Sequence, residues 1–365
     1  MSIEIEDIDA AVAAGVMPQA QADSLRAFVA ERHRSRLEQA GTEDERFRFM
    51  TGFNDFFFAI GILLLGFGMM FFTGGVPLPS LIAAVIVWAL SELLVGRMRL
   101  VLPGILLSVF FILFVFLAVP ADLATLTSRV APGQVIGSFW RDAFGLTGLP
   151  AAAAVKAIIG AAAASLYYWR FRLPFALLPI AASLVLLAIS LITIAAGSIS
   201  ASLWSVVTLA CGLAVFATAM TFDASDRDRM TRRSDCAFWL HLLAAPLIVH
   251  SLISLITPSL AQMSDGIALA ILLIVAILAV IAITIDRRAL LVSALIYIGI
   301  VIAYAAGMWT GQSGPSQGGI FFATLVILGA FVITLGVGWH PLRRRLIALI
   351  SPAIAAKLPP VPDRA

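Results

Sequence analysis

The stretch MTFDASDRDRMTRRSDCAFWLHLLAAPLIVHS, residues 220–251, decides how the chain is read. An apolar run ends at Phe222. A charged connection follows, in which Asp223, Asp226, Asp228 and Asp235 stand against Arg227, Arg229, Arg232 and Arg233. A second apolar run starts at Cys236 and carries His241 and His250. In lipid every backbone N–H and C=O has to be satisfied within the protein, so a single spanning segment must be helical. A helix of about 20 apolar residues crosses the hydrocarbon layer. Two apolar runs joined by a short charged connection are therefore two membrane helices with a polar turn.

Working outward, the same unit recurs. Apolar runs fall near residues 53–72, 78–95, 101–119, 151–169, 173–195, 202–222, 236–257, 266–285, 289–309 and 319–338. Composition agrees. Hydrophobic residues make up 61% of the 365 and charged residues 12%, against about 25% charged in soluble domains. The mean hydropathy is +1.03. The expected fold is all-α, a polytopic bundle of about ten transmembrane spans.

Basic residues set the orientation, because cytoplasmic connections carry an excess of Lys and Arg. With the N-terminus placed inside, alternate connections hold Arg97 and Arg99, Arg170 and Arg172, the central cluster, and Arg287 and Arg288. Arg343 to Arg345 follow the last span. Of the 24 Lys and Arg residues, only Arg129, Arg141 and Lys156 then fall outside. Both termini are expected to be cytoplasmic. The acidic start, MSIEIEDIDAAV, lacks the basic and apolar regions of a signal peptide, so the run at Phe53 is expected to direct targeting.

Three regions lie outside the spans. Residues 1–50 are expected to form a short soluble helical hairpin and a charged linker. Gly15 stops its first helix, Pro18 starts its second, and Ala22, Leu25, Phe28 and Val29 form an apolar face. The long connection from Pro120 to Pro150 carries Phe139, Trp140 and Phe144, which suit an interfacial helix. The tail, residues 341–365, is expected to be cytoplasmic, and its Pro-rich end SPAIAAKLPPVPDRA (351–365) to be disordered. The transmembrane domain takes 51–340.

Ionisable groups at membrane depth are the first place to look for function. Asn54 and Asp55 open the first span and Glu92 closes the second, so interfacial ion pairs with nearby arginines are expected. Lys156 lies about 8 Å inside the fourth span by helical rise, within snorkelling reach of the interface. His241 and His250 are nine residues apart on one helix and face nearly opposite ways, with Pro246 between them. Each is expected to bond across a helix interface, and His250 is also a candidate proton-relay or substrate contact. Asp223, Asp226 and Asp235 exceed what a topogenic cluster needs. They are expected to pair with arginines such as Arg232 and Arg233 and brace the hinge between the sixth and seventh helices, or to form a cytoplasmic gate or docking site. Gly61, Gly66, Gly68, Gly160 and Gly212 mark places where helices can approach closely.

No metal spacing, nucleophile–base pair or phosphate loop occurs. Cys211 and Cys236 have no ligand spacing and read as packing residues. No cofactor, no metal and no nucleic acid is expected, and an enzyme is the least favoured reading. A five-plus-five inverted repeat has little support beyond a recurrent turn style in VGRMRLVLPG (95–104), YWRFRLPFAL (168–177) and IDRRALLVSA (285–294).

The segments AAGVMPQAQADSL (13–25), FRFMTGFNDFFFAIG (47–61) and RMTRRSDCAFWLHLLAAPLIVHS (229–251) resemble those of a group of uncharacterised multi-spanning bacterial inner-membrane proteins. The resemblance covers most of the chain. It implies bacterial inner-membrane placement and transfers no catalytic or binding residue. Two functional expectations stand together: a transporter of a small or amphiphilic solute with the seventh helix lining its path, and a scaffold or regulatory subunit that docks a protein partner at the cytoplasmic face through the head and the 223–235 loop.

Overall fold

The computed structural model describes residues 12–28, 53–119, 150–197, 200–226, 229, 231–257, 263–310, 317–350 and 358–359. The 120–149 connection with Trp140, the 29–50 linker and most of the tail lie outside these residues, as do Arg227 and Asp228. Contacts divide the chain into two units, residues 1–48 with 362–365, and residues 49–361.

In the first unit residues 12–13 and 19–28 are helical, and Gly15 breaks the path between them with φ 70°. Pro18 sits one position before the second helix, where its carbonyl accepts from the Ala22 N–H at 3.1 Å. Ala22 is buried as expected, but Phe28 is exposed, so the apolar face is shorter than the sequence suggests.

Among the described residues of the second unit ten helices are long and apolar enough to cross a membrane. They are α1 Phe53–Thr73, α2 Pro77–Ser91, α3 Val101–Ala118, α4 Pro150–Phe171, α5 Leu177–Ala196, α6 Ala201–Ser225, α7 Arg232–Ile256, α8 Asp265–Ile285, α9 Ala289–Thr310 and α10 Gln317–Ala348. A π-helical turn, Glu92–Arg97, extends α2, and a 3-10 turn, Pro174–Ala176, leads into α5. No strand occurs among the described residues. Large apolar side chains cover the outer surface, with Phe72 88% and Val337 79% exposed. A soluble monomer rarely tolerates such a surface, whereas lipid solvates it. The protein is a polytopic, all-helical membrane protein.

Helices α1 to α4 pack around one another, and their core is aromatic: Trp88, Phe110, Phe111, Phe114 and Tyr167 belong to one cluster with Ala163 and Ala164. Helix α7 is the hub of the rest and packs on α5, α6, α8 and α9, while α10 rests on α8 and α9. Its tightest partner is α6. A Cβ added at Gly212 would lie 2.9 Å from Leu247 Cβ and 3.0 Å from Ile248 Cγ1, so only glycine permits this approach. Gly160 does the same for α4, where a Cβ would meet the Phe116 ring at 2.5 Å, and Gly66 lies against Phe110. Gly61 and Gly68 face open space and carry no helix contact, contrary to expectation.

The recurrent turn style has a backbone meaning. Arg99, Arg172 and Asp286 end their helices in the left-handed region, at φ 58°, 50° and 58°. Such residues reverse the chain after a helix C-terminus.

Two boundaries differ from the sequence reading in a way that matters. The 223–235 loop is mostly helix: α6 runs through Asp223 to Ser225, and α7 begins at Arg232, capped by the Thr231 hydroxyl on the Arg233 N–H. Helix α10 continues ten residues past the expected end at 338, through Pro341, and takes in the start of the presumed tail. Proline removes one backbone hydrogen bond, which a packed membrane bundle tolerates. The extension carries Trp339 and Arg343, four residues apart and therefore on one face.

Candidate functional site

The acids of the central connection turn inward. Asp223 lies in the last turns of α6 and is 7% exposed. Its carboxylate takes both ends of the Arg287 fork: Oδ2 accepts from Nε at 3.1 Å, and Oδ1 accepts from Nη2. Oδ2 also meets His241 Nε2 of α7 at 2.9 Å. A carboxylate only accepts, so His241 donates through Nε2 and its tautomer is fixed. His241 Nδ1 is buried and has no hydrogen-bond partner among the described residues, and the Phe216 ring stands edge-on to the imidazole at 5.2 Å. Arg287 extends the cluster to α7, where it donates to the Ser234 hydroxyl at 3.2 Å and the Ser234 carbonyl at 3.3 Å. His241 and Arg287 are 0% and 1% exposed.

Asp286, the neighbour of Arg287, builds a second cluster. It caps the C-terminus of α8 in the left-handed conformation. Oδ2 accepts from Arg229 Nη1 at 3.1 Å, and Oδ1 accepts from the Trp339 indole N–H of α10 at 2.7 Å. Arg343 Nε stands 3.8 Å from Oδ1. Arg229 Nη2 also donates to the carbonyls of Ile285 at 3.2 Å and Asp286 at 2.7 Å. Those carbonyls lack helical partners, and the helix dipole favours a cation there. Arg288 lies over the Trp339 ring, 5.2 Å from its centroid. Burial opposes the charged form of Asp286, yet the Arg229 and Arg343 guanidiniums, the Trp339 N–H and the nearby His340 outweigh it and hold the carboxyl below its ordinary value.

The two clusters share one dipeptide, Asp286–Arg287, so the α8–α9 turn ties α6, α7 and α10 together at one end of the bundle. Buried ion pairs of this kind are either completely made or very costly. The end of the bundle is therefore held by a charge network, a lock in which loss of one member leaves a buried charge unbalanced.

The other expected site residues are placed as follows. Asp226 is buried and accepts from the Thr231 N–H at 2.9 Å and hydroxyl at 2.6 Å, closing the α6–α7 connection. Asp235 is half-buried in the first turn of α7, and Arg232 and Arg233 are exposed. The partners of Asp223 differ from expectation: they are Arg287 and His241, not arginines of its own connection. Both histidines do bond across helix interfaces, His250 through Nδ1 to the Tyr297 hydroxyl of α9 at 2.6 Å. They serve different neighbours and do not converge. Glu92 pairs with Arg170 at 2.5 Å, and the two side chains are 35% and 46% exposed. Asp55 is buried, and the Asn54 side chain lies outside the described residues. Lys156 is 5% exposed, on the face of α4 that also buries Ala153, Ala157 and Gly160. Among the described residues no group of three His, Cys, Asp or Glu is placed to hold a metal ion.

Asp286, Arg287, Trp339 and Arg343 were not singled out from the sequence. Arg287 and Arg343 read as topological charge. The missed signal is Asp286, an acid that a basic turn does not require.

No protein-family profile, curated protein or solved structure matches the chain.

Proposed function

We propose that the protein is a carrier of the bacterial inner membrane that moves a small or amphiphilic solute, and that it is not an enzyme. The arginine-rich end faces the cytoplasm with both termini, as the distribution of basic residues requires. Helix α7, which carries Pro246 in its interior and packs on α5, α6, α8 and α9, lines the path. The Asp223–His241–Arg287 cluster closes its cytoplasmic end. One observation carries this reading: the acids Asp223 and Asp226 point into the bundle and bind helix ends together, rather than outward to a partner. Ionisable groups buried at a helix-bundle end are characteristic of gates and substrate or ion pathways.

The test compares cells producing the wild-type chain with cells producing Asp223→Asn at equal levels. Solutes retained in each are surveyed by mass spectrometry, and any difference is repeated with purified protein in liposomes. A small or amphiphilic solute that moves with the wild-type chain and changes rate in the variant supports the reading. No such solute, with a stoichiometric protein partner retained on gentle extraction, sinks it. That second outcome fits a scaffold or regulatory subunit, a reading favoured by the exposed Arg232 and Arg233 and by the separate unit at residues 1–48.

A further inference from the structure

The tail reads as Pro-rich and disordered, yet Leu358 and Pro359 are seated in the bundle. Leu358 is 8% exposed and belongs to one apolar cluster with Ala245 of α7, Ile283 of α8, Leu290 and Leu291 of α9, and Trp339 of α10. The Pro359 carbonyl accepts from Arg343 Nη2 at 2.6 Å. Arg343 is fully buried, and its other edge faces Asp286. A leucine side chain in an apolar recess and a backbone carbonyl on a buried guanidinium are the two contacts by which a short peptide is held in a groove. Proline lowers the cost of ordering such a peptide, because its φ is already restricted.

The geometry points to a peptide-docking site at the arginine-rich end of α7 to α10, occupied by the chain's own Leu358–Pro359 as an internal strap. The strap fills the recess beside Trp339 and accepts a hydrogen bond from Arg343. It thereby holds α10 onto the α8–α9 turn and keeps the Asp286 half of the lock made. Release of the strap opens the recess and loosens α10. The inference concerns what closes the lock and stands whether or not the protein is a carrier.

The test uses the full chain in lipid nanodiscs, with Cys211 and Cys236 replaced by alanine and one reporter, Leu290→Cys, placed in the recess. Leu290 is 4% exposed. Its labelling by a water-soluble maleimide is timed in the full chain and in a chain ending at Lys357. Removal of the strap is expected to speed labelling at least tenfold. A synthetic peptide of residues 357–365 is expected to slow it again, and the same peptide carrying Leu358→Asp is not. If the shortened chain aggregates, full-length Leu358→Asp is expected to give the same rise. Equal labelling with and without the strap, or slowing by both peptides alike, overturns the proposal. The readout needs no solute, so failure of the strap and failure of the transport reading are separate results.

Discussion

Asp223→Asn is the most informative single change, because it keeps shape and removes only charge. In the wild-type chain the Asp223 carboxylate balances Arg287, which is 1% exposed, and holds His241 at 2.9 Å. An asparagine presents one oxygen and one N–H2 group to the same neighbours. The N–H2 group faces either an arginine or a histidine donor, so at least one of these contacts turns repulsive. Arg287 keeps Ser234 but loses its balancing charge. Breaking one side of a buried pair costs about 3–5 kcal/mol, a large part of the roughly 5–15 kcal/mol that holds a domain folded. Arg287→Met should cost a similar amount. The double variant removes both charges and should cost at least about 2 kcal/mol less than the sum of the single changes. Unfolding of the four proteins in mixed micelles with increasing denaturing detergent measures all three numbers. If Asp223→Asn costs under about 1 kcal/mol, or if the two changes simply add, the Asp223–Arg287 pair is not a closed unit and the lock is wrong.

The remaining expectations concern the lock and the packing that supports it. Trp339→Phe keeps an aromatic ring but cuts back the buried indole and removes the N–H that Asp286 accepts at 2.7 Å; a bond to a charged group is worth about 1.5–3 kcal/mol, and detergent unfolding should show at least that loss. Asp286 is held below its ordinary value, so its contribution is fully present above the unfolded carboxylate pKa of about 4. That contribution is lost as pH falls through the lower folded value. Thermal scans from neutral pH down to about pH 3 should therefore find the wild-type advantage over Asp286→Asn shrinking with acidification; a constant gap would contradict the assignment. Gly212→Leu forces a side chain into the α6–α7 seam and should cost at least the roughly 1–3 kcal/mol of an overpacked core. Gly61→Ala, in open space, should be neutral or slightly stabilising; thermal shifts distinguish the two.

Much of the fold was legible because lipid imposes a simple rule. A run of about 20 apolar residues has one structural outcome in a membrane, and ten such runs became ten helices. The misreadings occur where that rule ends. Asp223 and Ser234 looked like loop because they are polar, yet both are helical and buried, since each has a partner in Arg287 of the α8–α9 turn. The tenth apolar run reads as ending at 338, yet α10 continues to Ala348, and Trp339 and Arg343 find partners there. Gly61 and Gly212 look alike in the sequence, and only the neighbours of Gly212 make it indispensable.

The candidate site shows the same division. Sequence singled out Asp223, Asp226 and His241 as more than topology requires, and it placed both histidines at helix interfaces. It assigned Asp223 the wrong partner, because the nearest arginines along the chain are not the nearest in space. Arg287 lies 64 residues from Asp223, and local patterning carries no information over such a distance. Periodicity, apolar length and basic alternation by themselves determined a polytopic helical bundle, since each is a response of one segment to its solvent. Only tertiary structure decided which buried charges meet, because a charge taken out of water must be balanced by whichever opposite charge the packing of helices brings to it.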